Sequence, residues 1–110
     1  MPEELSYKDF KKLDIRIGTI NSSEKVDGSD KLYKLMVDCG EDEPRQILSS
    51  LVDWYTAEEL VGKVIPVLVN LKPAKFFGQM SYGMLLAAEV GEDCVLMTTD
   101  RLIQNGAKIT

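Results

Sequence analysis

The sequence predicts a mainly β fold, and three observations support that prediction. Apolar and polar residues alternate over several short segments, turn-forming residues recur between these segments, and a helix start signal occurs near the middle of the chain. The chain has 110 residues, 45% of them apolar. This length and composition suit one folded domain, residues 1–110, with its own hydrophobic core.

The first two strands are predicted from alternation with a period of two. Ile15 and Ile17 alternate with polar or small residues, after a polar lead-in around Tyr7–Lys11 that is compatible with a helix. A turn at 27–30 separates this strand from a second one. One face of the second strand carries Tyr33, Leu35, Val37 and Cys39. Both strands therefore resemble strands that are buried on one side.

A hairpin and one short helix are expected next. Residues 46–49 form a third apolar run, and the acidic link 40–44 is rich in turn-forming residues, which predicts a hairpin between strands two and three. Thr56 and Glu59 have the spacing of a capping box, and Gly62 follows as a helix stop.

The second half of the chain supplies the remaining strands. Val64–Val69 is an apolar run in which Pro66 indicates an edge or a bulge, and further strands are predicted at 83–88 and 95–98. A short helix between strands three and four of a closed five-stranded sheet is the layout of an OB-fold, a Greek-key barrel that often binds oligonucleotides. Residues 99–110 exceed what five strands require, and they predict extra structure for self-association.

Several kinds of protein are disfavoured by composition. The chain has no histidine, which excludes hydrolase triads built on that residue, and no catalytic residue, metal site or cofactor is predicted. Its longest apolar run is far shorter than the roughly 20 residues of a membrane span. Cys39 and Cys94 lack a C-x-x-C spacing, and no secretory signal precedes the fold. These features predict a cytoplasmic protein whose reduced cysteines fill small apolar spaces.

Charge is distributed unevenly along the chain. The net charge of −5 argues by itself against nucleic acid as a partner. Residues 60–88, however, carry three basic and no acidic side chains, whereas the segments before and after them are acidic. The middle of the chain is therefore an island of positive charge.

The loop 70–84 lies within this island and combines three kinds of chemistry. It has cations for phosphates, polar groups for base edges or sugars, and apolar or aromatic groups on which a base could stack. These are, in the same order, Lys72 and Lys75; Asn70, Gln79 and Ser81; and Phe76, Phe77, Tyr82 and Met84. The alternative is a solvated hairpin loop whose aromatic residues cover one end of the barrel.

Motifs in this loop and elsewhere resemble a known family. The segments are 9–18, 30–40, 55–62, Asn70-Leu71-Lys72-Pro73-x-Lys75 and Ser81-x-Gly83-Met84, in that order. They are similar to the tRNA-binding domain at the C-terminus of methionyl-tRNA synthetases, which also occurs as free-standing homodimeric tRNA-binding proteins and in the endothelial monocyte-activating polypeptide. The resemblance covers residues from about Tyr7 to Ile109.

The resemblance implies an OB-fold that binds tRNA by shape, with little sequence preference and no active site. It also implies a homodimer that assists a synthetase, namely the methionyl enzyme, as its C-terminal domain or as a beta subunit. The residues that match the family's tRNA-contacting motif are Asn70, Lys72, Lys75, Ser81 and Met84.

Two positions depart from the family pattern. Family members often carry a basic residue where this chain has Ala74 and Phe77. The absence of two phosphate contacts predicts weaker binding with a flatter dependence on salt. A dimer would offset part of this loss by pairing two sites.

Other residues could extend the RNA-binding face across the barrel. These candidates are Arg16, Lys31, Lys34, Arg45, Phe76 and Gln79. The alternative for the cations is a solvated face, because Asp14, Asp30 and Asp38 lie close to them in sequence. Two other functions also stay open: a dimerisation or assembly module with weakened RNA binding, and a secretion chaperone similar to CsaA.

Overall fold

Five antiparallel strands form the main sheet of the computed structural model, which describes residues 3–110. Their spatial order is β3-β2-β1-β4-β7, and their bounds are β1 Ile15–Lys25, β2 Tyr33–Asp38, β3 Arg45–Ser49, β4 Val64–Leu68 and β7 Met84–Leu85. Two smaller hairpins consist of β5 Ala74–Phe76 with β6 Gln79–Ser81, and β8 Ala87–Val90 with β9 Asp93–Leu96. The helices are α1 Tyr7–Phe10 and α2 Ala57–Leu60. The sheet curls into a nearly closed barrel, which confirms the predicted OB-fold.

Strand β1 curves because it pairs with two different strands along its length. Residues 15–19 pair with β4, and residues 19–25 pair with β2. The register with β2 shifts between Ile20 and Ser22, which marks a β-bulge. Bulges bend a strand and increase its twist, so this one lets a single strand join both halves of the barrel.

The core lies inside the barrel, on the faces that the alternating pattern predicted. Leu35 and Val37 of β2, Ile47 of β3 and Val67 of β4 are fully buried. Helix α2 adds Leu60, also fully buried, between β3 and β4. The predicted capping box is present, since Thr56 Oγ1 accepts a bond from the Glu59 amide at 3.2 Å and Glu59 Oε1 accepts one from the Thr56 amide at 2.6 Å.

The barrel is closed by individual hydrogen bonds where its ladder is incomplete. Strand β3 lies at the edge of the sheet, and β6 docks against it. The Leu48 amide donates to Ser81 Oγ at 3.0 Å, and the Tyr82 amide donates to the Gln46 carbonyl at 2.9 Å. The hairpin of β5 and β6 is therefore fixed to the barrel wall.

The C-terminal tail forms the extra structure that the sequence predicted beyond five strands. Its residues pair with the first half of β1, where β2 does not reach. The Gly106 amide donates to the Ile17 carbonyl at 2.7 Å, the Ile17 amide to the Ala107 carbonyl at 2.9 Å, and the Ile109 amide to the Ile15 carbonyl at 2.8 Å. The role of this tail in self-association stays a prediction.

Both cysteines are buried and free, as the sequence predicted. Burial raises the pKa of the Cys39 thiol to about 11, and it raises the pKa of Cys94 as well. Both side chains therefore pack as small apolar groups at neutral pH. No helix within residues 3–110 is long and apolar enough to cross a membrane.

Candidate nucleic-acid interface

The hairpin of β5 and β6 carries the two lysines of the predicted loop. Lys72 and Lys75 are exposed, and within residues 3–110 neither has a carboxylate oxygen within 4.0 Å. The connecting turn is Phe77–Gly78, in which both residues have positive φ, 50° and 79°. Positive φ at both positions is the signature of a two-residue type I′ turn. For a non-glycine residue this conformation costs about 1–3 kcal/mol.

A groove of about 600 Å³, called the hairpin groove below, lies between this hairpin and the barrel. Its walls are the turn 29–32, the end of β3 with residues 48–51, the hairpin with residues 71–77, and the segment 81–85. Glu89 of β8 also lines the groove. The tip of the hairpin leans over the turn between β1 and β2, because a Cβ on Gly28 would lie 3.6 Å from Phe77 Cδ1.

Some of the predicted site residues line the hairpin groove and others do not. Lys72, Phe76, Ser81 and Met84 line it, and so does Lys31. Lys75 lies between Ala74 and Phe76, which both line the groove, so the alternation of β5 places Lys75 on the other face of the hairpin. The predicted residues outside the groove lining are Asn70, Lys75, Arg16, Lys34, Arg45 and Gln79.

Asn70 anchors the beginning of the loop. Its Oδ1 accepts a bond from the Asp14 amide at 2.9 Å, and its Nδ2 donates to the Lys12 carbonyl at 2.7 Å. Both ends of the amide are thus engaged with the segment that precedes β1. This arrangement suits a residue that positions the loop.

Ser81 is buried, only 5% exposed, and its hydroxyl is engaged twice. It accepts from the Leu48 amide and donates to the Gly83 carbonyl at 3.1 Å. Gly83 has φ 140°, and a Cβ there would lie 2.9 Å from the Leu68 carbonyl oxygen, so the close approach to β4 requires glycine. Next to it, Met84 is 54% exposed and faces the groove.

Each of the four cations proposed for an extended face is paired with a carboxylate. The pairs are Arg16 with Asp14 at 2.6 Å, Lys31 with Asp53 at 2.7 Å, Lys34 with Glu24 at 2.8 Å, and Arg45 with Glu41 at 2.7 Å. The hydrogen bond to Asp53 raises the pKa of Lys31. These charges are balanced locally, as the solvated-face alternative expected, although three of the four partners differ from the neighbours in sequence that we named.

Arg45 acts as a clamp between three segments. Its guanidinium holds Glu41 through two hydrogen bonds, Nε to Oε1 at 2.7 Å and Nη2 to Oε2 at 2.9 Å. Its Nη1 donates to the Val69 carbonyl at 3.2 Å and the Tyr82 carbonyl at 2.9 Å. The bond from Arg45 lowers the pKa of Glu41. Arg45 thus fixes the ends of the loop 70–82, a role that the sequence did not reveal.

The two remaining candidates differ in exposure. Phe76 is 46% exposed in the groove wall. Gln79 is half-buried, with Gln46 Nε2 at 3.4 Å from its Oε1, and the same Gln46 nitrogen donates to the Met80 carbonyl at 2.9 Å. Of the opposite wall, 29–32 and 48–51, sequence reasoning named only Lys31 as a site residue. A signal for the rest of this wall was present, since Ser49 and Ser50 end an apolar run at the sheet edge.

A curled five-stranded barrel with exposed lysines and aromatic side chains beside one groove defines an OB-type nucleic-acid-binding domain. The family model described as a putative tRNA binding domain matches residues 15–108, and the chain belongs to this family. Within residues 3–110 there is no cluster of three or more His, Cys, Asp or Glu side chains that could hold a metal ion.

Similar proteins include methionine–tRNA ligases, a MetRS related protein and a chaperone. The chain is 52% identical over 107 residues to a methionine–tRNA ligase of Archaeoglobus fulgidus, a match covering 97% of this chain and 16% of the ligase. It thus spans about a sixth of the length of such curated relatives. A MetRS related protein from Pyrococcus horikoshii matches with a TM-score of 0.92 and 35% identity, covering 99% of this chain and 100% of that one. The chaperone CsaA from Bacillus anthracis matches with a TM-score of 0.89 and 29% identity, covering 98% and 100%.

Proposed function

We propose that this domain binds tRNA across the β5–β6 hairpin and thereby assists a methionyl-tRNA synthetase, as its C-terminal domain or as a beta subunit. One observation supports the choice of this hairpin as the tRNA-binding surface. Lys72 and Lys75 are free of carboxylate partners in the described part of the chain, whereas the four cations considered on the barrel face are paired. Lysines that neutralise phosphates release the counterions condensed on the nucleic acid, and a cation already neutralised by a carboxylate of the protein contributes less to this binding.

The residues of the site divide into contacting and positioning groups. Lys72 in the groove and Lys75 on the outer face of the hairpin meet phosphates of the same RNA, and Met84 meets the face of an exposed base. Asn70 and Ser81 hold the loop through their internal hydrogen bonds. Because phosphate contacts carry no sequence information, this site recognises mainly the shape of tRNA.

The domain contributes binding and not catalysis. Both of its thiols are buried and protonated at neutral pH, which supports this assignment, because the thiolate is the nucleophilic form. A cytoplasmic location follows from the proposed synthetase partner.

We also propose that two copies associate through the C-terminal part of the chain. A mainly apolar cavity of about 410 Å³ there is lined by residues that include Ile17, Met97 and Ile103. Around it, Leu102 is 95% exposed and Ile103 57% exposed. A cluster of large apolar residues on the surface is typical of an interface. A dimer would present two RNA sites, which raises avidity without new contacts.

The likeness to CsaA supports a second candidate, binding of unfolded peptide in the apolar hairpin groove. Competition separates the two functions. An unfolded peptide that displaces tRNA and binds more tightly than tRNA would favour the chaperone function.

The central test is tRNA binding at two salt concentrations, about 50 and about 200 mM, by fluorescence anisotropy. The wild-type chain should bind less tightly at the higher salt concentration, and the double variant Lys72→Ala, Lys75→Ala should lose most of its affinity. Lys34→Ala is the matched control, because Lys34 is paired with Glu24. Affinity that does not depend on salt, or full binding by the double variant, would overturn the proposed surface.

A further inference from the structure

The lining of the hairpin groove combines buried apolar residues with exposed charged ones. Leu48, Leu51 and Leu85 are buried, whereas Lys72 and Glu89 are exposed. Lys31 also lines it, but Asp53 neutralises that ammonium at 2.7 Å. The volume of about 600 Å³ falls within the range of about 300–1,000 Å³ that is usual for small-molecule sites. The groove can therefore hold a flat apolar group with one negative charge beside Lys72.

Phe77 covers this groove in an unfavourable backbone conformation. Its φ of 50° is rare for an aromatic residue, and its ring is 61% exposed, so burial of the ring does not compensate for the strain. The ring leans over Gly28, where the absence of a side chain leaves room for it. Strained residues cluster at functional sites such as ligand clamps. An exposed aromatic face at the groove is well placed to stack on a planar ligand.

We propose that the hairpin groove is a subsite for one unstacked nucleotide, whose base stacks on Phe77 and whose phosphate contacts Lys72. This proposal rests on the proposed function, because its ligand is RNA, and it adds that the RNA must offer an unpaired base. Every base has a stacking face, so the subsite tolerates any sequence. Phe77 occupies a position where the sequence comparison expected a cation, so here a contact that depends little on salt takes the place of an ionic one.

The test uses three RNA duplexes that differ at one position. The first has a single bulged adenosine, the second has an abasic residue there with the phosphate retained, and the third is fully paired. The wild-type chain should bind the adenosine bulge about 5- to 150-fold more tightly than the abasic bulge, the range expected for one base stacked on an aromatic ring.

The informative variant is Phe77→Asn, which removes the ring and favours the turn. Asparagine tolerates positive φ, and Asn-Gly is the preferred type I′ pair, so a loss of binding cannot be attributed to unfolding of the hairpin. In this variant the preference for adenosine over the abasic residue should fall at least about 5-fold relative to wild type, the lower bound for one stacked base, with an unchanged salt slope. Phe77→Tyr should retain the preference, and so should the control Tyr7→Asn, whose exposed ring lies on α1.

Different results would contradict the nucleotide subsite and the proposed tRNA-binding function. Equal binding of all three duplexes by the wild-type chain, or an unchanged preference in Phe77→Asn, would overturn the nucleotide subsite and leave binding of tRNA through the lysines intact. Displacement of the bulged RNA by an unfolded apolar peptide that binds more tightly would assign the groove to peptide. An absence of binding to tRNA and to all three duplexes would overturn the proposed function as well.

Discussion

The hydroxyl of Ser81 accepts a hydrogen bond of 3.0 Å from the Leu48 amide, across the gap between β6 and the edge strand β3. A serine hydroxyl here substitutes for a backbone acceptor, and the same hydroxyl donates to the Gly83 carbonyl. The serine of the tRNA-binding motif therefore closes the barrel and shapes the loop in front of Met84. The fold and the proposed RNA site depend on the same atom.

Ser81→Ala should lower the stability of the domain. The buried Leu48 amide would lose its partner, which costs about 1–3 kcal/mol in the free energy of unfolding. Urea denaturation measures this change. Ser50→Ala is the control, because Ser50 is exposed and its replacement should change stability by less than about 0.5 kcal/mol. Unchanged stability together with lost tRNA affinity would instead assign the Ser81 hydroxyl to direct RNA contact.

Ala74→Lys should strengthen tRNA binding. Ala74 is exposed in the groove wall, one residue from Lys75, so a lysine there can reach a phosphate. Each neutralised phosphate makes the slope of log K against log salt steeper by about 0.7–0.9, and a salt titration of the affinity measures that slope. Ala74→Gln adds length without charge and should leave the slope unchanged. Identical slopes for the two variants would show that no phosphate lies near this position.

The ion pair between Glu41 and Arg45 should make part of the stability depend on pH. The hydrogen bond from Arg45 lowers the pKa of Glu41, so this pair stabilises the fold above the unfolded-state pKa, about 4.3. The stabilisation is lost as the pH falls through the lower value of the folded protein. In urea denaturation, the difference in unfolding free energy between wild type and Glu41→Gln should be largest near neutral pH and disappear in acid.

Glu43→Gln is the matched control for this titration. Glu43 lies on the same hairpin tip and is not in an ion pair within residues 3–110. Its difference from wild type should stay nearly constant with pH. If Glu41→Gln behaved in the same way as Glu43→Gln, the clamp would contribute nothing measurable to stability.

Leu102→Asp should convert the proposed dimer into a monomer. Leu102 is 95% exposed, so the substitution leaves the folded chain intact while placing a charge in the apolar patch. Sedimentation velocity should show half the mass and, with labelled tRNA, weaker binding. Val61→Asp, at an exposed position that follows α2, should remain dimeric. A wild-type chain that sediments as a monomer would overturn the proposed dimer.

The sequence predicted the barrel well because local patterns define most of it. Strands β1 and β2 follow from alternation, and α2 follows from its capping box. The predicted strand 83–88 is divided in the structure, because Leu86 marks a change of partner. Its amide faces the Pro66 carbonyl at 3.4 Å, while its carbonyl accepts from Met97, so β7 pairs with β4 and β8 pairs with β9.

The sequence placed the loop 70–84 in a hairpin but did not predict the short strands β5 and β6 within it. Phe77-Gly78 lacks the Asn-Gly or Asp-Gly signature of a tight turn, so the turn between these strands was not identified. Two ion pairs could not be predicted from local sequence. Lys34 pairs with Glu24 directly across the ladder of β1 and β2, and Lys31 pairs with Asp53. Such partners depend on strand register and on loop packing. Local sequence identified the free lysines and offered neutralisation of the other cations as an alternative, but the only partner that it named correctly was Asp14, which pairs with Arg16.

Because the tail is hydrogen-bonded to β1, the exchange of one backbone amide proton reports whether the tail is attached. The Ile17 amide donates to Ala107 in the tail, whereas the Ile20 amide donates to Lys63 in the barrel wall at 3.0 Å. In a hydrogen-exchange experiment, Ile17 exchanges whenever the tail detaches, but Ile20 requires the barrel itself to open. The protection factor of the Ile17 amide therefore measures the free energy of tail detachment, and that of the Ile20 amide measures the larger free energy of opening the barrel. If two copies meet on the tail, protection at Ile17 will increase with protein concentration.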